Sequence, residues 1–217
     1  MGHKVNPYVH RLGTVTDWKS KWFGGKDYAK YLYQDIKIRK SINERFKDGG
    51  VADVKIARTA GKTSITIFTS KPGVVVGRSG ANVEELRISL ERKFGRGFQV
   101  EVSEIRKPDL VSKLVGEHIA HQISDRMPYR STVKQAISRV MESGAKGVKV
   151  TVSGRLGGAE IARTESFGQG RVPLQTIRSD IDFASIHAKA SYGIVGVKVW
   201  IYKGDIFELG SASNVNK

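Results

Sequence analysis

Val76-Gly77-Arg78-Ser79-Gly80-Ala81-Asn82-Val83 is the stretch on which the reading of this chain turns. It follows an alternating, strand-like run and opens a helix-like one. Two glycines three residues apart, bracketed by β-branched residues, describe a short turn whose backbone amides can approach a ligand closely. Gly77 and Gly80 can take positive φ and put no Cβ in the way, while Arg78 and Ser79 add a cation and a hydroxyl. That combination suits a phosphodiester backbone. A bare G-x-x-G is common in turns, so its neighbours decide what it means.

The N-terminal half supplies a consistent frame. Residues 1–24 lack periodicity and read as an extended arm. Tyr28 to about Lys47 reads as a helix with Leu32, Ile36, Ile42 and Phe46 on one face, stopped by Asp48-Gly49-Gly50. Asp53–Arg58 and Thr63–Thr69 alternate as strands, with Ala60-Gly61-Lys62 as the hairpin turn. Pro72–Val76 is a short apolar segment with Pro where a helix starts. After the glycine turn, Asn82 and Glu85 stand in capping-box spacing before a stripe of Val83, Leu86, Leu90 and Phe94. Phe98–Val102 alternates as a third strand. The order helix, strand, strand, short helix, G-x-x-G, helix, strand resembles the type II KH arrangement, in which this turn clamps a nucleic-acid backbone.

A boundary is expected at Ile105-Arg106-Lys107-Pro108, giving a KH domain over 25–106, a second α+β domain over 107–208 and a flexible tail over 209–217. In the second domain Leu110–Met127 reads as a helix with Val111, Leu114, Val115, Ile119 and Ile123 inward, followed by a helix over Ser131–Glu142. Val148, Val150 and Val152 mark a strand, Ala159–Thr164 is expected to pair back on it, and residues 171–190 are mixed. Val195–Tyr202 supplies the last strand. The fold class is therefore α+β in two domains, the second with helices on a small mixed or antiparallel sheet.

Composition narrows the function. The 217 residues carry 37 Lys+Arg against 21 Asp+Glu, a formal net charge of +16. Such a surplus draws polyanions, and it is spread along the chain: 21 basic and 11 acidic residues over 1–106, 16 and 10 over 107–217. No apolar run approaches the roughly 18 residues of a membrane span, and the polar start Met1-Gly2-His3-Lys4-Val5-Asn6-Pro7 does not read as a secretory signal. Cysteine is absent, which excludes disulfides and thiolate metal sites.

Enzyme-like signals are weak. Gly61-Lys62-Thr63 resembles the end of a P-loop, but the leading glycine would fall at Ile56 in a strand. Gly168-Gln169-Gly170-Arg171-Val172-Pro173 fails a dinucleotide fingerprint at its third glycine. Glu117-His118-Ile119-Ala120-His121 lacks the metalloprotease spacing, and His118 reads as a packed helix residue. Asp180 and Asp182 read as local ion-pair or hydrogen-bonding groups. No nucleophile–base set emerges, so neither catalysis nor a cofactor is expected.

Basic residues carry the alternative. Arg155, Arg163, Arg171 and Arg178 cluster near Gly154, Gly157, Gly158, Gly168 and Gly170, where loops can approach phosphates and guanidinium groups can bind them bidentately. Arg130, Lys134 and Arg139 recur at helical spacing, and Lys37, Arg39 and Lys40 crowd the first long helix. Such contacts confer affinity more than sequence preference.

Four ordered motifs resemble the bacterial or organellar S-three family of small ribosomal subunit proteins over essentially the whole chain. They are residues 1–7, Ser153-Gly154-Arg155-Leu156-Gly157-Gly158-Ala159-Glu160-Ile161-Ala162-Arg163, the run 170–182 and Gly196–Gly204. His3 stands where the family usually has Gln. The resemblance implies a structural protein of the subunit head that binds rRNA and mRNA and lines the path of incoming mRNA. It implies contacts with neighbouring head proteins (the tenth and fourteenth of the subunit) and a cytoplasmic or organellar ribosome. Arg130 and Lys134 match positions that help open structured mRNA, with Ser131 where a further Arg is often found. Gly77, Arg78, Ser79 and Gly80 would form the KH loop contact. Lys4, Arg11, Lys37, Lys40, Arg155, Arg163, Arg171 and Arg178 are the rRNA candidates. A free-standing KH regulator and a nucleotide-dependent enzyme are the competing readings, separable by sedimentation with small subunits in high salt and by nucleotide turnover.

Overall fold

The computed structural model describes residues 4–59, 62–95 and 97–207. Among them the chain runs α1 (Pro7–His10), β1 (Ser20–Lys21), α2 (Tyr28–Arg45), β2 (Val51–Thr59), β3 (Lys62–Thr69), α3 (Pro72–Val76), α4 (Ala81–Phe94), β4 (Phe98–Glu104), α5 (Ser112–Ser124), α6 (Tyr129–Glu142), β5 (Gly147–Gly154), β6 (Arg163–Gly170), β7 (Ser179–Ala190) and β8 (Gly193–Asp205). It divides into two compact units, Trp18–Arg106 and a second made of Met1–Asp17 with Lys107–Lys217. The turn expected at Ala60-Gly61 and the tail over 209–217 lie outside the described residues, as does the opening Met1-Gly2-His3.

In the unit 18–106 the sheet order is β1-β2-β3-β4, with β2 antiparallel to β3 and both outer pairings parallel. Alternation puts Val54, Ile56, Ile65 and Ile67 on one face, where they meet Ile38 and Ile42 of α2 and Leu86 and Leu90 of α4 in a single core. Burying such side chains contributes about 1.5–3 kcal/mol each. The α2-β2-β3-α3-turn-α4-β4 order is the type II KH arrangement read from the sequence. Two details differ. The buried stripe of α2 is Asp35, Ile38 and Ile42, whereas Leu32 and Ile36 are exposed. Asp35 can be buried because the Ser20 hydroxyl (2.9 Å), Trp22 Nε1 (2.8 Å) and Arg58 Nη2 (2.6 Å) all donate to its carboxylate. The capping box is not used: α4 begins at Ala81, and Glu85 instead pairs with Arg45.

The second unit holds an antiparallel sheet of order β6-β5-β8-β7. Val148, Val150, Val152, Val197, Val199 and Ile201 face α5 and α6, which contribute Ile119, Ile123, Val133, Ile137 and Val140. On the opposite face a smaller cluster of Ile181, Trp200 and Tyr202 is covered by Val172 and Leu174. The returning strand is Arg163–Gly170, not Ala159–Thr164, because Leu156–Gly158 is spent on a 3-10 turn in which Gly157 (φ 67°) and Gly158 (φ 85°) lie on the left-handed side. The stretch read as mixed contains β7, an edge strand of 12 residues. Helix α5 ends before Arg126, whose φ of 63° breaks the helical path. Nor are the first 24 residues one arm: Pro7–His10 is helical and 4–17 belong to the second unit, while β1 pairs with β2 in the first.

Candidate nucleic-acid interface

The glycine turn is built as the sequence requires. Gly77 has φ 73°, Ser79 φ 51° and Gly80 φ 81°, so three of the four loop residues lie where L side chains are disfavoured. A Cβ on Gly77 would lie 2.7 Å from the Asn82 side-chain amide. Asn82 is held there because its Nδ2 donates to the Val74 carbonyl at 3.0 Å, tying α3 to α4. Arg78 and Ser79 point to solvent between those helices. No side chain caps the α4 N-terminus, where the Ala81 amide donates to the Arg78 carbonyl, and the positive end of the helix dipole lies beside the loop.

On α6 the exposed positions Arg130, Lys134 and Arg139 oppose the buried Val133, Ala136, Ile137 and Val140. Arg130 is engaged by Glu165 of β6. Its Nη2 donates to Oε1 at 2.9 Å and its Nε to Oε2 at 3.3 Å, and Tyr129 Oη also donates to Oε1 at 3.0 Å. The Glu165 hydrogen bond holds the Arg130 guanidinium well above its ordinary pKa, and the same bond holds the Glu165 carboxyl below its own. Ser131 Oγ is used locally, donating to the Pro128 carbonyl at 3.0 Å. Arg139 Nη1 lies 3.2 Å from His118 Nε2. His118 is therefore an exposed residue and not the packed one expected. Partial burial, then the Arg139 charge, push its pKa down.

The glycine-arginine segments are stiffened by their own hydrogen bonds. Arg155 is exposed, yet its Nε donates to the Ala159 carbonyl (2.9 Å) and its Nη1 to the Tyr192 carbonyl (3.2 Å). Arg163 and Arg171 bracket β6 and are exposed. Arg178 Nε lies 3.5 Å from Asp205 Oδ2, with its guanidinium 5.4 Å from the Phe207 ring. On the other unit Lys37 sits 5.3 Å from the Tyr33 ring and Lys40 pairs with Glu44 at 3.8 Å. With Ser41, Lys93 and Phe94 they line a shallow cleft.

One rRNA candidate is corrected outright. Arg11 is fully buried, donating from Nη1 to Pro7 (3.1 Å) and from Nη2 to the carbonyls of Pro173, Leu174 and Thr176 (3.3, 3.0 and 2.9 Å). It crosslinks backbone and is closed to phosphate. Arg39 is similar in use, donating to the carbonyls of Val54 and Lys19. Asp182 accepts from Ser112 N at 2.8 Å and so serves the start of α5, and burial raises the Asp180 carboxyl pKa.

Sequence reading missed a cationic strip on the sheet face away from α5 and α6. Register places Lys149 beside Trp200, and Thr151 beside Lys198 and Ser166. Lys4 approaches Lys149, whose pKa falls through burial first and the neighbouring ammonium second. Strict alternation in β5 and β8 was the signal that could have revealed it. Among the described residues there is no group of three metal-ligating side chains and no helix long and apolar enough to cross a membrane.

Residues 37–110 match the KH domain family, and residues 119–201 match ribosomal protein S3, C-terminal domain. The small ribosomal subunit protein uS3 of Bacillus thuringiensis (strain Al Hakam) and that of Bacillus anthracis are each 52% identical to this chain over 206 residues, 95% of the chain and 94% of the relative. That of Bacillus cytotoxicus is 50% identical over the same extent. A structural, non-enzymatic assignment follows, and the chain belongs to the uS3 family of small ribosomal subunit proteins, with its KH domain preceding its S3-specific domain.

Proposed function

We propose that the chain is a structural constituent of the small-subunit head that binds rRNA and lines the path of incoming mRNA. The observation that carries this reading is the near-complete coverage of uS3 relatives at 52% identity, joined to exposed basic residues on two α+β units. The unit containing 25–106 offers the loop Gly77-Arg78-Ser79-Gly80, and Lys37 and Lys40. The unit containing 107–208 offers Arg155, Arg163, Arg171, Arg178 and, from the N-terminal segment, Lys4. These contacts add affinity and register to an RNA scaffold without reading bases. Neighbouring head proteins, the tenth and fourteenth of the subunit, complete the surroundings, and a bacterial cytoplasmic ribosome is the setting.

At the start of α6, Arg130 and Lys134 contact mRNA and help to separate structured message, with translocation supplying the work. Ribosomes carrying Arg130→Ala with Lys134→Ala should slow on a message with a stable hairpin and keep their rate on an unstructured one. Equal rates on both messages would remove the mRNA role. For the KH loop, Arg78→Asp with Ser79→Asp should weaken binding of the full chain to small-subunit rRNA fragments without lowering its unfolding midpoint.

A further inference from the structure

Arg130 is exposed but is not a free cation. Register in the β5–β6 pair sets Glu165 opposite Val152, which is fully buried beneath the helices, so the Glu165 side chain rises on the α6 side of the sheet. There it is held by three donors. Tyr129 Oη and Arg130 Nη2 reach Oε1 at 3.0 and 2.9 Å, and Arg130 Nε reaches Oε2 at 3.3 Å. Arg130 Nε also lies 3.1 Å from Tyr129 Oη, and the guanidinium carbon sits 5.7 Å from the Tyr129 ring centre. Glu165 uses two of the five guanidinium N–H groups, leaving three for another acceptor. Lys134, further along α6, has no carboxylate partner among the described residues.

We infer that Glu165 is the resident counter-ion of Arg130, a positioning residue that aims the guanidinium and cancels its charge until an RNA phosphate takes its place. The inference rests on reading the α6 edge as an RNA contact. Arg130 is solvent-exposed while Glu165 is partly buried, so an anion can approach the guanidinium from the solvent side, and a phosphate is as good a bidentate partner as a carboxylate. The consequence is a grip that forms and releases easily. Arg163 also acts electrostatically on Glu165, giving the displaced carboxylate a second cation nearby.

The test uses the full-length chain and a fluorescent single-stranded RNA, with affinity measured across a salt series. Glu165→Gln keeps the size of the side chain and an acceptor for Tyr129, and its folding is checked by its thermal midpoint. It should bind RNA about 3–10-fold tighter at low salt, with a log–log salt slope steeper by about 0.7, the expected increment for one more phosphate contact on a single strand. Arg130→Ala should weaken binding in the parent chain and weaken it further in the Glu165→Gln background, where it abolishes the whole gain, a non-additivity that contact between the two residues requires. Unchanged or weaker binding by Glu165→Gln, or a gain that persists without Arg130, would overturn the inference. Lys134→Ala separates the two levels of failure. If it weakens binding while Glu165→Gln changes nothing, the basic edge stands and the counter-ion role falls. If neither it nor Arg130→Ala in either background matters, the edge itself is no RNA contact and both ideas fall.

Discussion

Gly77 and Arg11 show how far single residues follow from their spelling. Gly77 was legible because a turn between two helices needs a residue tolerant of positive φ, and its φ is 73°. Gly77→Ala should destabilise the KH unit by about 1–3 kcal/mol in denaturant unfolding, since it adds backbone strain and drives a Cβ into Asn82. Arg11 was not legible as a structural residue. Nothing local announces that its guanidinium will be consumed by carbonyls more than 160 residues away. Arg11→Met should cost about 3 kcal/mol, because three long-range acceptors lose a charged donor, and it should leave RNA affinity of the folded chain unchanged. His118 gives a pH signature. Its folded-state pKa lies below the ordinary 6.5, so the native state resists protonation. Stability is whole above that pH and declines as pH falls through about 6.5 and below. The thermal midpoint of His118→Gln should fall less steeply between pH 7 and pH 5.

Among elements, those with strict periodicity on their helix- or sheet-facing side were readable: β2, β3, β5, β8, α4 and α5. Their alternation or helical stripe follows from the core they cover. β6 and β7 were not readable, because they are the edges of the sheet. β6 is mostly solvent-exposed and polar, and β7 carries a register irregularity between Asp180 and Ile181 that breaks its period. The stripe of α2 was misassigned for a different reason. Hydrophobic periodicity cannot see Asp35, a buried carboxylate neutralised by Arg58 from another element. The join between β5 and the segment after β6 is the tightest of the sheet: a Cβ on Gly147 would lie 2.1 Å from the Arg171 carbonyl oxygen. Backbone cannot rotate away as a side chain can, so Gly147→Ala should cost about 2–3 kcal/mol and should speed amide exchange in β5 and β6.

Across the whole molecule, charge is the property that sequence states most directly, and geometry decides how much of it is available. The net +16 overstates the free cations, since Arg11 and Arg39 are committed to carbonyls and Arg58 to Asp35. RNA affinity of the intact chain should drop steeply between 50 and 200 mM salt, as counter-ion release demands. The measured slope should report fewer phosphates than a count of basic residues would give.

The Arg11 anchor also bears on how the chain is made. A polypeptide emerges from its N-terminus at roughly 5–20 residues per second, and the carbonyls that receive Arg11 begin 162 residues downstream. Arg11 must therefore idle for roughly 8–30 s at those speeds before its docking place exists. Trp18–Arg106 is a continuous stretch with its own core and can close during that wait. Birth order and folding order are thereby inverted: Arg11 is made before the Trp18–Arg106 unit and finds its seat after it.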